Sequence, residues 1–204
     1  MAATGTDHPL ERLVFFSDAV FAIAITLLVI EIHVPDLEYR AGNAAYWQAL
    51  AHLIPSFVSY AISFGVIGAF WSGHHRAFAL AGRYDGSVLV WNLVMLGAIA
   101  FIPFVTAFMG AHYGAPVPTG LYWFWLFLTS LANLRVNTIA TGPAMIGEDV
   151  SPELARDVRR RSRSVVLGAL TAFAVSLVFP LAAPAGMASI PLWQALLARL
   201  GTRG

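Results

Sequence analysis

Asp18 stands inside an apolar run that extends from Leu13 to Val34. A carboxylate in such a setting is costly unless it faces protein or water and finds a partner. Groups of matching chemistry elsewhere in the chain are Arg12, His74, His75 and Arg76, together with the hydrogen-bonding side chains of Trp71 and Asn92. Two kinds of chemistry follow. Asp18 with His74 and His75 could relay protons across a membrane, as acids and imidazoles do in pumps and carriers. Alternatively, Ser17, Asp18, Trp71, His74, His75 and Asn92 form a polar cluster that locks helices together, and this is the default for the set. A metal chelate is disfavoured, because adjacent histidines on a helix diverge by about 100°.

The same run has a second face. Ile23, Thr26, Leu27 and Ile30 fall on one side with Ala19 and Phe16 below them, while Ser17 and Asp18 point elsewhere. A stripe of branched aliphatic side chains with one hydroxyl is ordinarily packing or lipid contact. It is also what a helix needs to line a symmetric axis. Glu31 and His33 end the run, where they serve equally well as cation-concentrating groups or as solvated helix-end charge. Salt would screen the further pull of Asp36 and Glu38.

The scaffold that positions these faces is expected to lie in lipid. Of 204 residues, 58% are hydrophobic and 11% charged, where a soluble domain carries about a quarter charged. The expected fold class is all-α: a polytopic membrane protein with six transmembrane helices in one domain over 1–204. The spans fall at 13–34, 50–72, 87–109, 119–140, 164–182 and 187–201, the last of them short for the roughly 20 residues a crossing takes. Met1 to Leu10 lacks a basic signal-peptide start, and the following run is too long for a signal peptide, so the first helix is expected to be retained.

Local features refine this scheme. Small residues in the second span, from Ser56 through Ala61 and Gly65 to Gly68, suit close helix packing, and the span is expected to stop at Gly73 to Arg76. Tyr122, Trp123, Phe124 and Trp125 resemble an interfacial belt. Ser151, Pro152 and Glu153 begin a separate basic surface helix by hydroxyl cap, first-turn proline and acid at the dipole. Its arginines, Arg156, Arg159, Arg160, Arg161 and Arg163, are more readily topology-setting charge than an anionic-lipid site.

Every basic side chain is Arg. With both termini cytoplasmic, Arg12, Arg76, Arg83, the cluster from Arg156 to Arg163, Arg199 and Arg203 share one side, leaving mainly Arg40 on the other and Arg135 near the inner end of span four. That arrangement needs an even number of crossings. The net charge of +1 gives no basis for binding nucleic acid.

The absence of Cys excludes disulfides, thiolate metal sites and cysteine nucleophiles. No H-E-x-x-H or G-x-S-x-G segment occurs, and ionisable groups deep in the apolar runs are scarce, which disfavours an enzyme. No T-V-G-Y-G segment occurs either; Tyr113-Gly114 stands in a short loop without the preceding residues. A proton-coupled carrier using Asp18, His74 and His75 remains the alternative function. It is weakened by the lack of an inverted repeat or of a helix pair broken at mid-membrane.

Arg12-x-x-x-Phe16-Ser17-Asp18 resembles the R-x-x-x-F-S-D signature of the endolysosomal potassium channel family, and the likeness runs on through Ala19 to Ile23 and as far as Glu31. Trp71-x-x-His74-His75-Arg76, Asn92 and Phe101-Ile102-Pro103-Phe104 are similar to the same family. The first half of the chain carries the resemblance; the second half adds only its helix count. The resemblance implies a prokaryotic plasma-membrane homotetramer of single six-helix repeats, with the first helix lining the pore. It makes Ile23 the constriction, Thr26 a hydroxyl layer and Ile30 a second apolar ring, with Leu27 on the same pathway. Potassium would be the permeant ion and membrane lipids the surroundings, with no cofactor. The signature occurs once, so a pore built of several such helices needs several chains. An apolar ring replaces little of an ion's hydration, so it would favour potassium over sodium modestly and could close by dewetting.

Overall fold

The computed structural model describes residues 8–38 and 40–201, so Met1 to Asp7 and Arg203 of the charge pattern lie outside the described residues. In chain order the helices are α1 (His8–Ile30), α2 (Asn43–His52), α3 (Ile54–Phe78), α4 (Gly86–Ala100), α5 (Ile102–Ala111), α6 (Pro116–Ala140), α7 (Pro152–Ser176), α8 (Pro184–Met187) and α9 (Ile190–Gly201), with a single 3-10 turn at Pro180–Ala182.

In α1, Leu13, Ser17, Phe21, Ala24 and Leu28 recur at three- and four-residue steps and are buried, the spacing that gathers side chains on one helix face. That face packs against α3, α4 and α5. The helices α6 and α7 form a second pair behind them. They are joined by Asn137 Nδ2 donating to Ser162 Oγ at 2.9 Å and Arg159 donating to the Thr141 carbonyl at 2.8 Å. Arg135, the charge inside α6, is exposed and lies 5.8 Å from the centre of the Trp91 ring, a cation–π arrangement.

Three helical stretches are long and apolar enough to cross a membrane: Pro9–Ile30, Ile54–Phe78 and Gly86–Ala111. A fourth results if Pro180–Met187 and Ile190–Leu200, bent by 42° from one another, act as one span. The sequence pattern reads no helix pair as broken at mid-membrane; the bent pair puts a break at the start of the last expected span. Pro184 and Pro191 each start a helix, and Ser189 caps the break by donating to the Gly186 carbonyl at 2.5 Å. The third stretch is interrupted at Phe101, ahead of Pro103, which lacks the amide hydrogen that an unbroken helix needs.

Other expectations shift. The helix of span two does not stop at Gly73; α3 runs to Phe78 and carries His74, His75 and Arg76 in regular helix. The separate surface helix and span five are one helix, α7. No glycine or proline interrupts it from Glu153 to Leu167, and Ser162 and Ser164 donate back to the carbonyls of Val158 and Arg160. Near its start Asp157 pairs with Arg160 and Arg161. Burial opposes ionisation of Asp157, but the hydrogen bonds and charges of the two arginines outweigh it and hold the carboxyl below its usual range.

The aromatic belt is also corrected. Tyr122 and Trp123 are fully buried, Tyr122 through a hydrogen bond to Ser63, and Phe124 alone of the four is exposed. The small residues of α3 divide as well. Ser59 and Ser63 pack in the core, whereas a Cβ built on Gly65, Gly68 or Gly73 meets nothing within 4 Å.

A close backbone approach occurs between α7 and α8, where a Cβ on Gly186 would stand 2.3 Å from the Ala172 Cα. Gly186→Val is therefore expected to cost about 1–3 kcal/mol of stability. Gly97→Ala, where the added atom meets nothing within 4 Å, should be neutral or slightly stabilising. Thermal unfolding of the purified variants in detergent checks the contrast.

Candidate functional site

The two faces of α1 differ in their surroundings. On the packed face, Ser17 Oγ donates to the Leu13 carbonyl at 2.8 Å and so is left to accept from Asn92 Nδ2 at 2.9 Å. The amide thereby turns its oxygen to His74, whose Nε2 donates to Asn92 Oδ1 at 2.9 Å. The result is a directed chain from α3 through α4 to the backbone of α1, with every member buried. The His74 ring is stacked on Phe78 at 4.2 Å and lies 5.6 Å from Phe21, and its Nδ1 has no partner among the described residues.

Asp18 belongs to a different contact. Its Oδ1 accepts from Trp71 Nε1 at 2.9 Å, and the Trp71 ring stacks on His75 at 5.7 Å. Of the partners considered from sequence, Trp71 is the one that bonds Asp18. Arg12 is exposed and makes no hydrogen bond or ion pair among the described residues. The expected polar cluster is thus two anchors on two flanks of α1, His74–Asn92–Ser17 and His75–Trp71–Asp18. His74 points into the core while His75 is exposed, and no group of three metal-ligating side chains occurs among the described residues.

The opposite face carries the stripe. Ile23 is 57% exposed, Leu27 39% and Ile30 68%, with Phe16, Ala19 and Thr26 exposed beside them. Nothing among the described residues covers this row. Thr26 donates its hydroxyl to the Ile23 carbonyl at 2.9 Å, so its free lone pairs present acceptor character along the stripe. Beyond it, Glu31 and His33 are both exposed, with His33 Nδ1 donating to the Glu31 carbonyl at 3.0 Å.

One buried polar group escaped the sequence. Tyr122 OH donates to Ser63 Oγ at 2.9 Å, Ser63 donates to Thr106 Oγ1 at 2.7 Å, and Thr106 donates to the Ile102 carbonyl at 2.8 Å. It ties α3, α5 and α6 together as the Asn92 chain ties α1, α3 and α4. The available signal was a Ser, a Thr and a Tyr in three apolar segments, each needing a partner when buried.

Residues 12–103 match the family model described as endosomal/lysosomal potassium channel TMEM175. Over that stretch the chain is similar to the TMEM175 family. Among solved TMEM175 structures it is similar to the lysosomal potassium-selective channel TMEM175 homolog from Chamaesiphon minutus. That likeness has a TM-score of 0.77 and 29% identity over 92% of this chain and 96% of the other. A potassium channel of Streptomyces collinus is 41% identical over 101 residues, which is 50% of this chain and 48% of that protein. The rat relative, named endosomal/lysosomal proton channel TMEM175, is 31% identical over 98 residues, 46% of this chain and 20% of its own length. The chain spans about half the length of the bacterial relatives it matches in sequence. These TMEM175 relatives are ion channels, not enzymes.

Proposed function

We propose that this chain is one subunit of a homotetrameric, modestly potassium-selective channel in a prokaryotic plasma membrane, with α1 lining the pore. Ile23 forms the constriction, Thr26 the hydroxyl layer and Ile30 a second apolar ring, with Leu27 between them. The observation that carries this reading is the contrast across α1. One face is pinned by two polar anchors, and the other leaves an aliphatic row uncovered by the described residues. Ions would shed water at Ile23 with few replacements, a step that is easier for potassium than for sodium.

Six crossings with both termini cytoplasmic accompany this proposal. α1, α3, the α4–α5 pair, α6, α7 and the α8–α9 pair supply them. α6 and α7 have the length at 25 residues each, and the arginines gather toward one end. The alternative, a proton-coupled carrier using Asp18, His74 and His75, has less support because these groups belong to two separate anchors.

The test is flux into liposomes holding the purified protein, in potassium and then in sodium, with and without a pH gradient. Passive flux, faster for potassium, is expected. Concentrative uptake driven by the pH gradient would transfer the assignment to the carrier. A gentler probe is Thr26→Val, which should change the potassium-to-sodium ratio by about three- to tenfold, a change of roughly 1 kcal/mol for one lost polar layer. The oligomer should survive, as measured by the mass of the detergent-solubilised assembly.

A further inference from the structure

The groove left open by the small residues of α3 is a cavity of about 400 Å³. Ala61, Gly65 and Ala69 of α3 form one wall, Val165 of α7 another, and Met187 and Ile190 a third. Polar groups collect at a single end, where Arg76, Arg161, Ser162 and Asn133 line it. Arg76 donates to Ser72 within its own helix at 2.7 Å and Arg161 to Asp157 at 2.7 Å. Asp157 is shared with Arg160, so the end keeps an excess of positive charge. The occupant must therefore be slender and apolar along most of its length and anionic at one end. A helix about 10 Å across would exhaust this volume in roughly one turn, which argues against a segment of a second copy.

We propose that this cavity binds an anionic phospholipid, one acyl chain lying along Gly65 and Ala69 and the headgroup phosphate held by Arg76 and Arg161. The inference rests on the membrane orientation proposed above, which puts the arginine end at the cytoplasmic leaflet. Four of its features are independent of ion flux: the open slot, the free space over two glycines, the polar end and the two guanidiniums. A guanidinium pair suits a phosphate because its N–H groups match the oxygens in planar geometry. The next turns of α3 carry Trp71 and His74, so a bound lipid would bear on the helix that anchors α1.

Native mass spectrometry of the purified protein, titrated with phosphatidylglycerol or phosphatidylcholine, tests this. The unmodified protein should retain phosphatidylglycerol in preference. R76Q/R161Q should lower its affinity about 30-fold, the loss expected for two arginines at a lipid surface, and bring the two lipids close to parity. Gly65→Leu, whose Cβ meets nothing within 4 Å, extends a side chain into the slot and should reduce both lipids while the helical circular dichroism and assembly mass stay unchanged. Three results would overturn the proposal. Unchanged lipid preference in both variants removes the site. An equal loss in Arg163→Gln, outside the slot, reassigns the preference to the general basic surface. A changed assembly mass for Gly65→Leu with lipid retention intact makes the slot an interface between copies. None of these readouts requires conduction, so a failed flux assay and a failed lipid assay point to different errors.

Discussion

Ile23→Asn is expected to raise potassium flux into liposomes about ten- to hundredfold and to remove most of the discrimination against sodium. In the proposed tetramer, four aliphatic side chains around an axis offer an ion nothing in exchange for the water it sheds. Four amides each supply a donor and an acceptor, and restoring such hydrogen bonds is worth about 1–3 kcal/mol. That range is what a ten- to hundredfold rate change requires. A wet ring also passes both cations with their shells largely intact, so the ratio should approach one. Because Ile23 is 57% exposed in the protomer, the substitution leaves no buried polar group inside the subunit, and its folding should be little changed. Unaltered flux for both cations would remove Ile23 from the pathway. A protomer-level effect on stability of more than about 1 kcal/mol would instead mean that the side chain packs against protein.

Much of α1 was legible because a single helix has one geometry. Ser17 and Asp18 point away from the row of Ile23, Thr26, Leu27 and Ile30 at helical spacing, so two faces could be drawn from sequence alone, whereas the buried Leu13, Phe21, Ala24 and Leu28 were not singled out. The polar anchors were legible only as a membership list. Asp18, Trp71, His74 and Asn92 each needed partners, but which pair formed depends on the rotation of α3 and α4 about their axes, and sequence spacing within one helix carries no information on that. Hence Asp18 met Trp71 and not Arg12.

Boundaries were harder to read where polarity and helix formation part company. The arginines from Arg156 to Arg163 suggested a change of element, yet arginine is a good helix former and nothing between Glu153 and Leu167 breaks the chain, so α7 continues. Glycine misled in the other direction. Gly65 and Gly68 suggested contact, because small residues often let helices approach in lipid. They border open space instead, while a close backbone approach is made at Gly186, in a short helix the sequence did not resolve. Tyr122 shows the same ambiguity: an amphipathic ring fits an interface or a buried hydrogen bond equally well, and the deciding partner, Ser63, is 59 residues away.

The second large effect is expected from Asn92→Leu. Asn92 is the one member that both accepts and donates between helices, taking the His74 Nε2 proton and giving its own to Ser17. Leucine keeps the volume but leaves the His74 donor buried with no acceptor, at a cost of about 1–3 kcal/mol. Ser17 keeps its bond to the Leu13 carbonyl, so its loss is the lesser one. Ser17→Ala should therefore cost less than Asn92→Leu, although it strands the Asn92 amide hydrogen. Trp71→Phe should cost less than either in stability, because half-buried Asp18 can recover a water partner. The ranking is measurable as thermal unfolding midpoints of the purified proteins, alongside the assembly mass. If Trp71→Phe proves the most damaging of the three, the Asp18 flank and not the buried amide holds α1 against α3. The rotation of the proposed pore-facing row would then be set from the exposed side of the helix.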